Sequence, residues 1–223
     1  MSEPQFSGPG AIAQWDSSML EPLAEINEEV VEALIAGSER EAGSDPGTGA
    51  LRGRWQALAA PARQRLVRCP YLLLDAGFAH AALWAALPRV SVHEASPPGS
   101  AATPRPMPAQ LIRRTLLLAW HLARANRLTA RLALGMSSEC AQLLSSCRLA
   151  DLEWYAEQRP AFVRPRWESR PDLWQALISA AALENTHELE RLQRWGLQKL
   201  AAETLGGAAG GYLPAVTLGP RVR

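Results

Sequence analysis

The sequence has little of what disulfide bonding or membrane insertion requires. Its three cysteines, Cys69, Cys140 and Cys147, are an odd and sparse set that predicts reduced thiols. No apolar run approaches the roughly 20 residues needed to cross a bilayer, and the N-terminus lacks a basic start followed by an apolar stretch. We therefore predict a cytoplasmic protein that has no membrane partner.

Recognisable catalytic and metal-binding patterns are also missing. The sequence has no glycine-rich phosphate loop, no Gly-x-Ser-x-Gly elbow and no His-Glu-x-x-His pair. The four histidines are scattered along the chain. Cys140 and Cys147 have no nearby histidine or second cysteine pair that could complete a zinc site. We therefore expect that the protein is not an enzyme and that it holds no cofactor and no metal.

Lysine is nearly absent, and charge is unevenly distributed although the net charge is only +1. Lys199 is the only lysine among 23 basic residues. Residues 1–50 hold ten acidic residues and one arginine, whereas residues 51–175 hold 17 arginines and eight acidic residues. One interpretation of this excess is a GC-rich genome that favours arginine codons. The guanidinium is nevertheless the group that binds phosphate or carboxylate at two points.

Helical periodicity runs through most of the chain and predicts an all-α fold. A capping box at Ser18–Glu21 begins an amphipathic helix that Gly37 is placed to end. The apolar stretch from Tyr71 to Leu87 is predicted as a buried helix, with a strand at 71–74 as the alternative. Six prolines between residues 88 and 108 predict an extended linker.

Beyond this linker the pattern is helical again. The predicted helices cover 110–126, 138–145 (capped by Ser137 or Ser138), 149–158, a stretch opened by Pro171, and a last helix that starts at the capping box Asn185–Glu188. The predicted organisation is an N-terminal helical region (1–87), the Pro-rich linker (88–108), a second helical domain (109–205) and a flexible glycine-rich tail (206–223).

The most distinctive segment runs from Arg159 to Arg170 and is called the connector here. It reads RPAFVRPRWESR, with four arginines and two aromatic residues in twelve positions, and its prolines favour an extended main chain. Guanidinium groups on arms and helices bind nucleic-acid phosphates. The candidate DNA-binding residues are therefore Arg159, Arg164, Arg166 and Arg170.

A structural interpretation fits the composition of the connector equally well. Phe162 and Trp167 would then anchor the connector in the core, together with Trp174 of the following helix. The arginines would be solvated or would pair with Glu168, Asp151 and Glu153.

The order of elements from about Pro108 to Ala182 resembles FlhD, the small helical subunit of the FlhD–FlhC flagellar transcription activator. The similar features are a long helix ending in RLALGM (131–136), a short helix from Glu139 to Leu144, a second one led by LADL (149–152), the extended segment with RWES (166–169), and a closing helix around Leu173 to Ile178. The resemblance implies an all-α, intertwined homodimer that joins an FlhC-like partner subunit. It also implies promoter binding through a helix-turn-helix-like part.

Carried over to this sequence, the resemblance places Arg164 and Arg166 in the extended segment, and Arg170 and Trp174 at the start of the next helix. Val163 stands where a family member has a cysteine that bridges the dimer, so no such bridge is expected. Two hypotheses follow: an FlhD-like transcriptional regulator subunit that binds DNA with a partner, or a non-enzymatic helical adaptor. Exposed clustering of the connector arginines favours the first hypothesis, and pairing with local acids favours the second.

Overall fold

A computed structural model describes residues 17–40, 46–85, 107–158 and 162–206 of the chain. Within these ranges the protein is all-α, as predicted, and the strands form a single antiparallel pair. No helix in the same ranges combines the length and the apolar character needed to traverse a lipid bilayer. The helices are α1 (Ser17–Arg40), α2 (Pro46–Gln56), α3 (Ala60–Val67), α4 (Ala81–Ala85), α5 (Ala109–Ala125), α6 (Arg127–Leu134), α7 (Ser138–Ser146), α8 (Leu149–Gln158), α9 (Pro171–Ala182) and α10 (Thr186–Gly206), and the strands are β1 (Leu74–Asp75) and β2 (Arg164–Pro165).

Side-chain caps determine where several helices begin. The capping bonds run from the N–H of Thr129 to Asn126 Oδ1 at α6, from that of Cys140 to Ser137 Oγ at α7, and from that of Glu188 to Asn185 Oδ1 at α10. The caps at Ser137 and Asn185 confirm the predicted starts of α7 and α10. The cap at Asn126 divides the long helix on which the resemblance relied, because α5 ends there and α6 starts anew.

Residues 71–80 are not helical, which corrects the prediction of a buried helix from Tyr71 to Leu87. Among the described residues of that stretch only Ala81–Ala85 (α4) is helical, and Leu74–Asp75 form β1. The buried side chain of Asn27 holds residues 71–74. Its amide donates to the carbonyls of Val67 at 3.1 Å and Tyr71 at 3.0 Å, and its Oδ1 accepts the N–H of Leu73 at 2.8 Å. These bonds satisfy main-chain groups that a helix would satisfy internally, so a non-helical segment can be buried here.

One core includes residues from both sides of the predicted linker. The helix α1 packs against α5, and α2 and α3 pack against α9. The buried rings of Trp55 and Trp174 lie 5.4 Å apart. The division into a region 1–87 and a separate domain 109–205 is therefore wrong as a description of packing. Most of the predicted linker (88–106 of 88–108) and of the predicted tail (207–223 of 206–223) lies outside the described residues.

At Gly196 the helix α10 comes close to the side chains of Tyr71 and Trp167. A Cβ atom at this position would lie 2.6 Å from Tyr71 Oη and 2.7 Å from the Trp167 ring, which is closer than van der Waals contact. At Gly37, which the sequence placed at the end of α1 but which lies inside that helix, a Cβ atom would have nothing within 4 Å. The two glycines therefore form a matched pair for testing the packing of α10.

We expect Gly196→Ala to lower the free energy of unfolding by about 1–3 kcal/mol, because the added methyl group overpacks the contact. We expect Gly37→Ala to raise the same quantity by about 0.5–1 kcal/mol, because alanine is the better helix former. Urea denaturation of both variants measures these changes. A stabilising effect of Gly196→Ala would contradict the close approach of α10 to Tyr71.

Candidate functional site

The described part of the connector is built into the fold. Val163 is buried, and β2 pairs antiparallel with β1, so that Arg164 lies opposite Asp75. Residues 166–169 then turn sharply instead of continuing the predicted extended chain, and the N–H of Arg170 donates to the carbonyl of Trp167 at 2.8 Å. Arg159, a predicted DNA contact, lies outside the described residues.

Arg166 joins three parts of the chain from within the core. Its side chain is 5% exposed. Its Nε donates to the carbonyl of Leu72 at 2.7 Å, and its Nη2 donates to the carbonyls of Leu74 and Leu134, both at 2.8 Å. Leu134 ends α6, where the last carbonyl groups lack partners within the helix. The guanidinium therefore ties the segment around β1 to the C-terminal end of α6.

The turn after α6 leaves room for this guanidinium. Gly135 adopts a left-handed conformation with φ of +65°, and a Cβ atom there would lie 2.9 Å from Arg166 Nη1. A side chain at position 135 would therefore meet both backbone strain and a close contact. The RLALGM stretch that contributes to the resemblance thus has a structural role in seating Arg166.

Within the described residues, the hydrogen bonds of the Arg166 guanidinium go to carbonyl oxygens and not to a carboxylate. Burial lowers the pKa of its guanidinium, while the nearby charges of Asp75 and Glu203 oppose that shift. Arginine stays protonated in proteins, so a buried cation is held by carbonyl oxygens. A guanidinium in this position cannot reach a phosphate at the surface. This corrects the prediction that Arg166 is a DNA contact.

The other described arginines of the connector do not form an exposed cluster. Arg170 is exposed, and it binds Asp172 at two points, with Nε–Oδ1 at 3.0 Å and Nη2–Oδ2 at 2.8 Å. The hydrogen bond from Arg170 lowers the pKa of the Asp172 carboxyl. Arg164 is half-buried. Pairing with a local acid is the arrangement that favours the adaptor hypothesis over the DNA-binding one.

Two of the three predicted aromatic anchors, Trp167 and Trp174, lie in or against the core. Trp174 is buried, and its Nε1 donates to the carbonyl of Arg166 at 2.9 Å. Trp167 is half-buried between Tyr71 and Trp195, with ring centroids 5.2 Å and 6.2 Å away. Its φ of +55° is unusual for a bulky residue, and these ring contacts offset the strain. Phe162 is half-buried.

The described thiols and carboxylates form no evident reactive centre. No group of three or more His, Cys, Asp or Glu side chains is placed to hold a metal ion within the described ranges. Burial raises the pKa of the Cys69 thiol to about 12 and that of Cys140 still further from its ordinary value. Neither thiol is therefore activated as a nucleophile. Cys147 is half-buried, and its Sγ donates to the carbonyl of Leu143 at 3.3 Å.

A surface formed by α5 and the start of α8 was not predicted from the sequence. Trp120 is half-buried, its Nε1 donates to the carbonyl of Cys147 at 3.0 Å, and the guanidinium of Arg124 lies 4.6 Å from its ring centroid. Leu117, one turn earlier on α5, is 41% exposed, and Leu149 at the start of α8 is 48% exposed. We call Leu117, Trp120, Arg124 and Leu149 the Trp120 face. Leu117 lies outside the apolar stripe of α5, which includes Leu111, Thr115 and Leu122. This position was the available signal.

No protein-family model, no curated protein and no solved structure matches the chain. The resemblance to FlhD therefore remains a hypothesis that depends on the sequence features alone.

Proposed function

We propose that the protein is a non-enzymatic helical adaptor that binds another protein through the Trp120 face. The observation that carries this proposal is the combination of a tryptophan, an arginine and exposed leucines on two neighbouring helices. Tryptophan and arginine are the residues that most often dominate binding energy in protein interfaces. The hydrogen bond from Trp120 to Cys147 fixes the ring in advance, which reduces the entropy lost on binding.

The alternative function is a DNA-binding regulator subunit of the FlhD type, and two of the four arginines predicted for it already have partners within the fold. Arg166 is buried and bonded to carbonyl groups, and Arg170 is paired with Asp172. A phosphate would have to compete with these internal partners. These internal partners therefore favour a protein over DNA as the molecule that is bound. Both a second copy of the chain and an FlhC-like subunit are proteins of that kind.

We expect Leu117→Asp and Leu149→Asp, tested singly, to reduce recovery of the protein partner by about tenfold or more, because each puts a charge into an apolar contact. The tagged full-length chain is purified from nuclease-treated cells, and co-purified proteins are quantified by mass spectrometry. The matched control is Gln198→Asp, which makes the same change of charge at an exposed position of α10.

Two results would contradict the adaptor proposal. One is that only nucleic acid, and no protein, co-purifies with the wild-type chain before nuclease treatment. The other is that the partner is recovered equally with both leucine variants and with Gln198→Asp.

A further inference from the structure

A second surface lies where α2 and α3 pack against the C-terminal end of α9. Arg54 Nη1 donates to Ser179 Oγ at 2.8 Å, and Arg65 Nε donates to the carbonyl of Ala181 at 3.0 Å. Ser179 and Ala181 both belong to the last turn of α9. The two guanidinium groups are therefore brought to one helix end by two different helices.

A third arginine extends this group. Arg68 follows α3, is exposed, and stands three residues after Arg65, which places both side chains on the same side of the helix. Residues 46–68, which form α2 and α3, contain five arginines and no acidic residue. The positive charge of this region is therefore not neutralised by its own helices.

The acceptors that orient these arginines are mostly uncharged. Arg54 is held by a hydroxyl and Arg65 by a carbonyl, so both groups are positioned while their charge is retained. Arg65 also lies 3.3 Å from the carboxylate of Glu184, whose side chain is 74% exposed. Ion pairs that are so exposed are weak. A carboxylate from outside can therefore bind groups that are already ordered.

An exposed leucine lies within the same surface. Leu183 directly follows α9 between Ala181 and Glu184, and it is 78% exposed, the highest fraction among the exposed large apolar residues of the described ranges. We call Arg54, Arg65, Arg68 and Leu183 the α9-end surface. It combines three cationic groups with one apolar side chain.

We propose that the α9-end surface binds an acidic protein segment in which carboxylates flank a large apolar side chain. The planar guanidinium matches a carboxylate at two points, and an apolar residue of the partner covers Leu183. Nucleic acid offers phosphates but no aliphatic side chain to cover the leucine. An interfacial membrane helix would present several large apolar residues, whereas none is exposed among the described side chains of α2 and α3. This inference rests on the adaptor function and names the chemistry of one partner.

The probe is a fluorescein-labelled peptide with a leucine pair between two runs of glutamate, and its binding to the full-length chain is followed by fluorescence anisotropy. We expect the double variant Arg54→Ala/Arg68→Ala to weaken binding about fivefold or more, because two exposed ionic contacts are lost. We expect Leu183→Ser to weaken it about tenfold, because an apolar contact is lost.

The matched control for charge is Arg191→Ala/Arg194→Ala. It removes two arginines from α10 that are paired with Glu188 and Glu190. We expect this control to change the affinity by less than about twofold, because its arginines do not belong to the α9-end surface and are already paired on α10. Equal losses in the two double variants would overturn the inference, because binding would then follow net charge alone.

Two further arms decide what kind of molecule the surface accepts. A peptide in which serine replaces the leucine pair should bind less tightly, and a short DNA duplex should bind less tightly than the leucine-containing peptide. Tighter binding of the duplex, abolished by Arg54→Ala/Arg68→Ala, would overturn the inference in favour of a nucleic-acid surface. Absence of measurable binding to the leucine-containing peptide would also overturn it.

Failure of this inference is distinguishable from failure of the adaptor proposal. If the cellular partner is recovered equally with Arg54→Ala/Arg68→Ala and with wild type, the adaptor proposal stands and the α9-end surface is not the binding site. If no protein partner is recovered at all, the adaptor proposal fails whatever the peptide does.

Discussion

Arg166→Ala should lower the free energy of unfolding by about 4–5 kcal/mol, a large fraction of the roughly 5–15 kcal/mol that holds a typical domain together. The substitution removes the donors for the carbonyls of Leu72, Leu74 and Leu134 and leaves these groups buried and unsatisfied. It also empties the space beside Gly135. Urea denaturation followed by tryptophan fluorescence measures the loss.

Three further variants separate the causes of this loss. Arg166→Met keeps much of the side-chain volume but has no donor, so it should remain nearly as unstable as the alanine variant. Arg166→Lys keeps the charge but not the planar set of donors, so it should recover only part of the stability. Arg170→Ala, which breaks an exposed pair with Asp172, should cost less than about 1 kcal/mol. Wild-type stability of Arg166→Met would show that the carbonyl bonds do not stabilise the fold.

The helices of the second half follow from the sequence because their signals are local. Ser137 and Asn185 cap helices at the predicted positions, and the bounds of α5, α7, α8 and α9 follow apolar spacing and proline placement. The predicted helix 110–126 matches α5, but the separate helix α6 was not predicted, since no glycine or proline marks its start. Its signal was the asparagine itself, which can cap a helix.

The non-helical conformation of residues 71–74 could not be predicted in the same way. Their hydrogen-bond partners are distant in sequence: Asn27 lies 46 residues before Leu73, and Arg166 lies 94 residues after Leu72. An apolar run without these partners indicates a helix or a strand equally well. The packing of the two halves into one core could not be predicted for the same reason. A proline-rich stretch between them does not indicate that Trp55 and Trp174 are in contact.

The sequence could identify the connector as distinctive but could not assign its chemistry. Composition shows that arginine is abundant, and arginine is almost never buried without partners. The carbonyl partners of Arg166 are main-chain groups, which leave no trace in residue identities. The Trp120 face depends on the Cys147 carbonyl in the same way, although the position of Leu117 off the apolar stripe was visible beforehand.

Asn27→Asp should destabilise the protein by about 4 kcal/mol near neutral pH and regain part of that loss in acid. The Asn27 amide donates to the carbonyls of Val67 and Tyr71 in a fully buried site. A carboxylate has no proton to donate, so it would face two carbonyl oxygens without water. Burial and these oxygens should raise the pKa of the new carboxyl above that of an exposed aspartate.

The sign of the pH dependence follows from the protons bound in each state. Between the unfolded pKa of about 3.9 and the raised pKa in the folded protein, the folded state binds more protons than the unfolded state. The stability of Asn27→Asp relative to wild type should therefore increase as the pH falls through the folded pKa, and it should level off below the unfolded one. Asn27→Leu, which loses the same hydrogen bonds without introducing an ionisable group, is the control and should show no such dependence. Urea midpoints at several pH values measure both variants. A pH-independent difference between Asn27→Asp and wild type would show that Asn27 does not hold residues 71–74 through donated hydrogen bonds.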